Sequence, residues 1–278
     1  MPYATGDGLR LHYVDWPGEG PPVVGIHGLT SNCHVWDSLA EALSPAHRLL
    51  AYDLRGRGDS DKPASGYSLA HHTADLAGLL SAWGLERAVL AGHSLGAHIA
   101  VSFAHHHPER VEKLILVDGG FDVRPELLES LRPALARLGQ AYPSLAAYLA
   151  MVRALPPMAG RWNAYAECYY TYDAEVAPDG TVRSKVPRAA IEEELWNLSR
   201  VRLWAYHHRI ACPTLILRAP DGILGATDCL MTQEEAEALL HAIPRSRLVV
   251  VPDTNHYTIL LGANPALPKA VREFLAGA

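Results

Sequence analysis

Cysteine is scarce in this chain of 278 residues: Cys33, Cys168, Cys212 and Cys229 are the four, and no two form a C-x-x-C pair. Such usage argues against a disulfide framework and points to reduced thiols in a cytoplasmic protein. No run of about eighteen apolar residues occurs, so no membrane span is expected. The stretch Met1 to Asp7 also lacks the basic-then-apolar layout of a signal peptide. Positive charge is not in surplus. With 24 Lys+Arg against 30 Asp+Glu the net charge is −6, and no dense basic run is present, which speaks against nucleic-acid binding. There is no internal repeat and no low-complexity tract. What remains is a composition of 49% hydrophobic and 19% charged residues, that of a soluble globular protein. The length suits one large α/β domain with room for an inserted subdomain.

The most informative stretch is Leu90-Ala91-Gly92-His93-Ser94-Leu95-Gly96-Ala97-His98. The apolar run Ala88–Ala91 before it has strand length. The segment Leu95–His107 after it runs without an interior breaker beyond Gly96 to Pro108, and reads as a helix. The G-x-S-x-G pattern at such a strand-to-helix turn is a nucleophile elbow. A turn that tight strains the serine backbone, and side chains at the flanking positions would strike the neighbouring strand and helix. The hydroxyl of Ser94 is thereby pushed outward, and the Leu95 N–H stands at a helix N-terminus where it can meet a developing oxyanion.

The rest of the chain supplies a context. Leu9–Val14 alternates like an antiparallel edge strand. Val23–Ile26 is a buried strand delivering His27-Gly28-Leu29-Thr30, and a helix is expected from about Val35 to Leu43. The strand Arg48–Tyr52 ends in Asp53-Leu54-Arg55-Gly56-Arg57-Gly58-Asp59-Ser60, a loop read as a hydrogen-bonded turn that supports the site. A helix from about Leu69 to Trp83 precedes the elbow strand, and Lys113–Val117 is a strand ending in Asp118-Gly119-Gly120. From Phe121 to about Ala211 there is no good strand, only helical stretches such as Pro125–Leu138, Ser144–Ala154 and Ala189–His207. The β/α rhythm resumes with Thr214–Leu217, a helix Gln233–Ala242, a strand Leu248–Val251 and a last helix Pro268–Leu275. Strands alternating with helices imply a mostly parallel sheet covered on both faces. Ligands then sit beyond the carboxyl ends of the strands, where every motif named so far lies.

Four motifs in register, His27-Gly28, Asp53–Ser60, Gly92–Gly96 and Asn255-His256, make the chain similar to the α/β-hydrolases over nearly its whole length. The resemblance implies an eight-stranded core of residues 1–120 and 212–278, with 121–211 as an inserted helical cap. It implies Ser94 as nucleophile and His256, in the loop after strand 248–251, as its base. A serine hydroxyl needs such a base within hydrogen-bond reach. The second oxyanion donor is assigned to Leu29, with Thr30 as its neighbour, beside Leu95. His93, inside the elbow, is expected to pack. The groups His71-His72, His105-His106-His107 and His207-His208 lack the spacing that puts two rings and a carboxylate on one helix face, so neither a metal nor another cofactor is expected.

The acid is where the sequence departs from the family pattern. The usual position after strand 214–218 holds Gly222, with Asp221 one residue early and Asp228 reachable through a longer loop. Some branches take the carboxylate from the preceding strand end, about 24 residues after the serine, where Asp118 stands (118 − 94 = 24). A strand end is the steadier support for a buried acid, so Asp118 leads, with Asp228 and Asp221 as alternatives. The 91-residue insertion holds 7 of 12 tyrosines and 3 of 6 tryptophans. Trp162, Tyr165 and Tyr169, with Tyr170 and Tyr172, are expected in the pocket roof, and Trp196, Trp204 and Tyr206 behind it. Its 11 basic and 10 acidic residues announce no charged substrate. The resemblance implies hydrolysis of a small to medium apolar ester or lactone through an acyl-enzyme, by a monomer or homodimer. The alternatives are carbon–carbon bond hydrolysis, cofactor-free oxygenation or perhydrolysis on the same residues, or a non-enzymatic ligand-binding protein of the same fold.

Overall fold

A computed structural model describes residues 2–122, 124, 131–132, 135–225 and 228–277. It opens with strands β1 (Tyr3–Gly6), β2 (Leu9–Trp16) and β3 (Val23–Ile26). A 3-10 turn, Cys33–Trp36, leads into helix α1 (Asp37–Leu43), then β4 (Leu49–Tyr52), α2 (Leu69–Ala82), β5 (Ala88–His93), α3 (Leu95–His106) and β6 (Val111–Val117). The insertion follows with α4 (Leu145–Arg153), α5 (Ala164–Asp173), β7 (Ala174–Val176), β8 (Val182–Ser184), α6 (Arg188–Leu198) and α7 (Trp204–His207). The chain closes with β9 (Thr214–Arg218), α8 (Gln233–Ala242), β10 (Ser246–Val250), α9 (Thr258–Leu261) and α10 (Ala266–Leu275).

The main sheet has eight strands in the order β1-β2-β4-β3-β5-β6-β9-β10, antiparallel at β1, β2 and β4 and parallel from β4 onward. The central strands are apolar on both faces because both are covered. Their alternation still divides them. Val24, Ile26, Leu90, Leu114, Leu116 and Ile216 face the core shared with α2, α3 and α8. Val23, Val89, Ala91, Ile115, Val117, Leu215 and Leu217 face the core shared with α1 and α10. Full burial of each valine, leucine or isoleucine among them contributes about 1.5–3 kcal/mol, so these two layers dominate the stability of the fold. Every parallel strand ends on the same edge, and the site is built there.

Three expectations need correction. β2 is not an edge strand, because Tyr3–Gly6 pairs along its outer side; β1 is too short and too polar to show a period. The insertion contains a strand pair, β7–β8, whose three-residue arms are likewise below the length at which alternation can be read. The stretch Ala189–His207 is two helices, broken where Ser199 caps the first. Helix α5 is a further helix of the insertion; the Asn163 side chain starts it by accepting from the Ala166 N–H at 3.0 Å. The expected helix Pro125–Leu138 falls largely outside the described residues.

Candidate active site

The serine turn is fixed sterically. Ser94 has φ 55° and ψ −119°, a left-handed backbone that a side-chain-bearing residue adopts only under constraint. A Cβ on Gly92 would lie 2.2 Å from the Gly96 carbonyl oxygen, and one on Gly96 would lie 2.0 Å from that of Ile26. Both glycines are therefore demanded by close backbone approach. The Ser94 N–H donates to the Val117 carbonyl (3.1 Å), tying the turn to the next strand, and Leu95 is the first residue of the twelve-residue α3.

At the end of that next strand, Asp118 also has positive φ, 46°, and is fully buried. Its Oδ1 accepts from the Ala219 N–H (3.1 Å), just past β9, and its Oδ2 lies 2.8 Å from His256 Nδ1. A carboxylate so placed holds the proton on Nδ1 and leaves Nε2 as an acceptor. The histidine loop is itself anchored. Asn255 Oδ1 accepts from the N–H groups of Tyr257 and Thr258, both at 3.0 Å, and its Nδ2 donates to the Pro157 carbonyl of the insertion (2.9 Å). Ser94 and His256 face one cavity.

His93 packs its ring on His256, with centroids 4.6 Å apart, and its Nε2 lies 2.9 Å from the His256 carbonyl, so Nε2 carries the proton. Burial, reinforced by the charge His256 can carry, drives its pKa well below the ordinary imidazole value. It remains neutral and adds no repulsion against a protonated His256.

The loop after β3 is held by its carbonyls. His27 Nε2 accepts from the Leu54 N–H (3.0 Å), which leaves Nδ1–H to donate to the Gly28 carbonyl (2.8 Å). Burial lowers the pKa of His27 to about 4, so this tautomer persists. The Gly28 carbonyl also accepts from the Ser31 N–H (3.2 Å). Arg57 Nε donates to the Leu29 carbonyl (3.0 Å), and Arg137 Nη2 donates to the Thr30 carbonyl (2.8 Å).

The Asp53–Ser60 turn supports this arrangement from below. The Asp53 carboxylate accepts from the N–H groups of Cys33 (2.8 Å) and Asp59 (3.1 Å) and from His12 Nδ1 (2.9 Å), and Tyr172 of α5 donates its hydroxyl to it. Burial works upward on this carboxyl, but the hydrogen bond from His12, the nearby His27 and the Tyr172 hydroxyl bring it down to about 2. His12, Cys33 and Asp53, and separately His34, Asp37 and Cys168, are close enough to offer donors to one ion. In the first group the donors are engaged with one another and with Tyr172.

The cavity is small, about 40 Å³, against roughly 300–1,000 Å³ for common ligand pockets. Its wall includes Leu29, Ser31, Val35, Tyr169, Tyr257 and Leu261, and among the described residues it carries no lysine or arginine. Of the five aromatic residues expected there, Tyr170 stacks on Trp162, Tyr172 donates to Asp53 and Tyr169 is present. Trp162 is not: its Nε1 donates to Glu167 (2.6 Å), its ring stacks on Tyr170 and the Arg153 guanidinium lies over it. Tyr165 points outward to Glu41 (2.6 Å). Trp196 and Trp204 are exposed, and Tyr206 stacks on His105. The sequence does not say which face of α5 turns inward. Nor are the other candidate acids at the histidine: Asp221 pairs with Arg161 (2.9 Å), and Asp228 accepts from the N–H groups of Leu224 and Gly225, both at 2.8 Å. Sequence reasoning misses Tyr257, the neighbour of His256, and the buried charges Arg57, Arg137, Asp173 and Glu194. Arg57 and Glu194 are visible only as a charged loop residue and a helical glutamate until the fold brings them together.

The sheet order and its covering helices are those of the α/β hydrolase fold. Residues 21–263 match the α/β hydrolase fold family, and the chain belongs to it. It is 29% identical over 261 residues to the 2-(acetamidomethylene)succinate hydrolase of Mesorhizobium japonicum, covering 93% of this chain and 89% of that one. The crystal structure of an E-2-(acetamidomethylene)succinate hydrolase superposes with a TM-score of 0.86 at 26% identity, over 99% and 98% of the two chains. A thermophilic esterase from Thermogutta terrifontis superposes at 0.75 with 25% identity, over 99% and 97%. Among the described residues no helix is long and apolar enough to cross a membrane.

Proposed function

We propose that the protein is a serine hydrolase that cleaves a small, uncharged carboxylic ester or lactone through an acyl-enzyme. One observation carries this reading: strained Ser94 shares a cavity with His256, whose Nδ1 is bonded to buried Asp118. His256 Nε2 takes the Ser94 proton as Oγ attacks the carbonyl carbon. Negative charge on the carbonyl oxygen is met by the N–H groups of Leu29 and Leu95, the latter at the positive end of α3. The imidazolium, stabilised by Asp118, then protonates the leaving oxygen as the carbon–oxygen bond breaks. Water, deprotonated by the same histidine, releases the acid and restores Ser94.

The size of the cavity favours a short acyl group. Its wall supports an uncharged one: a succinate carboxylate, as in the name of the Mesorhizobium relative, would find no cationic side chain on that wall among the described residues. The test is a panel of p-nitrophenyl esters, lactones, N-acyl amides and vinylogous diketones, run beside fluorophosphonate labelling. Labelling at Ser94 with ester or lactone turnover, and loss of about 10⁶-fold in Ser94→Ala, is the expected result. Turnover of the diketones alone would assign carbon–carbon hydrolysis instead. An unlabelled Ser94 would leave a ligand-binding protein.

A further inference from the structure

Two buried guanidinium groups grip consecutive carbonyls of the loop that carries the assigned oxyanion donor, and the counter-ion of each comes from the insertion. Arg57, fully buried, donates Nε–H to the Leu29 carbonyl (3.0 Å) and Nη1–H to the Arg55 carbonyl (2.8 Å). Its Nη2 reaches Glu194 Oε2 of α6 at 3.1 Å. Glu194 is fully buried too and shares that oxygen with His72 Nε2 of α2 at 2.7 Å. Arg137 Nη2 donates to the Thr30 carbonyl (2.8 Å) and lies 3.4 Å from Asp173 Oδ2 at the end of α5. Asp173 is held in turn by the hydroxyls of Tyr148 and Ser184.

We propose that the insertion sets the geometry of the oxyanion hole, with Glu194 acting through Arg57, and Asp173 through Arg137, as positioning residues. This rests on the assignment of Ser94 as nucleophile and of Leu29 as oxyanion donor. The carbonyl and N–H of a trans peptide point in opposite directions in one plane. His27 and Ser31 hold the Gly28 carbonyl, and with it the plane of the Leu29 N–H. Arg57 holds the following plane and Arg137 the one after. Leu29 is therefore clamped on both sides, and its N–H has one direction. The arginines could not be buried here without their carboxylates, since an unpaired buried charge is costly. The core supplies the cation for one grip and the backbone for both, while both carboxylates belong to the segment 121–211. Seating of that segment and the shape of the oxyanion hole are thus one event. Glu193 and Asn197 fasten the same helix to the core: Glu193 accepts from the N–H groups of Gly66 and Tyr67, and Asn197 donates to the Tyr67 carbonyl.

The test uses p-nitrophenyl acetate as substrate and phenylboronic acid as a mimic of the tetrahedral adduct. An oxyanion donor acts in the transition state alone, so its misplacement lowers kcat and spares KM. In Glu194→Gln, kcat should fall about 10–100-fold, less than the roughly 10²–10³ for outright loss of a donor. KM should stay within about twofold, and boronate affinity should fall by the factor lost in kcat/KM. Because that variant leaves Arg57 uncompensated, a second one, Arg57→Met with Glu194→Met, removes both charges. Its Tm should recover toward wild type while kcat stays low. Recovery of kcat in the double variant, or a fall in kcat with boronate affinity unchanged, would overturn the proposal and reduce the pair to a structural contact. Fluorophosphonate labelling separates the two levels: if wild-type Ser94 is not labelled, the underlying reading fails, whereas labelling with unaltered boronate affinity removes this inference alone.

Discussion

His256 Nδ1 lies 2.8 Å from Asp118 Oδ2, although 138 residues of sequence separate them. The contact spans two strand ends of one sheet. Asp118 follows β6, while His256 sits in the loop after β10, and β9 between them lends its Ala219 N–H to the same carboxylate. Both oxygens of Asp118 are thus engaged, and the side chain has no freedom to turn from the histidine.

The first prediction follows from that pair. Asp118→Asn preserves the shape but not the tautomer control or the stabilisation of the imidazolium, and should lower kcat about 10⁴-fold. Asp221→Asn and Asp228→Asn should each lose less than about tenfold, since those carboxylates serve Arg161 and a local turn. Steady-state kinetics of the three variants on one ester decides it; near-normal turnover in Asp118→Asn would refute the assignment.

Much of this architecture is readable from the chain, and the reasons are local. The parallel strands are apolar runs bounded by turn residues, and Val23–Ile26, Thr214–Arg218 and Gln233–Ala242 announce themselves by pattern or cap; Thr232 and Glu235 even form a reciprocal capping box. The elbow glycines declare themselves because the steric demand at Gly92 and Gly96 is local. What the chain does not reveal depends on long-range partners. Three carboxylates could have met His256, and only packing brings Asp118 to it. Trp162 and Tyr169 share a segment of aromatic residues, yet one stacks on Tyr170 outside the cavity and the other lines it. The pairing of Arg57 with Glu194 joins positions 137 residues apart, beyond any periodicity.

A second prediction concerns that aromatic segment. Tyr169 lines the cavity and shares its wall with Tyr257, so Tyr169→Ala should enlarge the space near Ser94 and raise the relative rate on longer acyl chains. Trp162→Ala should cost stability, on the order of 1–3 kcal/mol for a half-buried stacked ring, with preference unchanged. Relative kcat/KM on acetyl, butanoyl and hexanoyl p-nitrophenyl esters is the measurement. A shift in preference from Trp162→Ala equal to that from Tyr169→Ala would show that the substrate wall extends beyond Tyr169 to the turn before α5.

The last prediction is the pH dependence of stability, which the buried groups around the oxyanion loop govern. In the folded state His27 must accept at Nε2 from the Leu54 N–H, and its pKa is lowered from 6.5 to about 4. Unfolded, it takes up a proton near 6.5. Between these values the unfolded chain binds more protons, so stability falls as pH drops from 6.5 to 4, and this contribution is flat above 6.5. Glu194 works in the same direction lower down. Burial pushes its carboxyl up, but the charge and hydrogen bonds of His72 and Arg57 prevail and bring it from 4.5 to about 2. The stability it supplies is complete above 4.5 and lost as pH falls toward 2. The Asp53 contribution, from 3.8 to about 2, adds to that lower window. For His27 the loss should amount to roughly 3 kcal/mol across its window, since one proton bound only by the unfolded chain costs about 1.4 kcal/mol per pH unit. Urea denaturation at closely spaced pH values tests this. His27→Asn, which can still donate to the Gly28 carbonyl, should be less stable at pH 7.5 yet lose less stability between 6.5 and 4, the remainder coming from the other histidines that burial lowers, His93, His98 and His207 among them. Glu194→Gln should leave the upper window unchanged and flatten the lower one. If wild type and His27→Asn fell in parallel between pH 6.5 and 4, His27 would not be the neutral anchor of the Gly28 carbonyl, and the fixed tautomer on which the loop geometry rests would be lost.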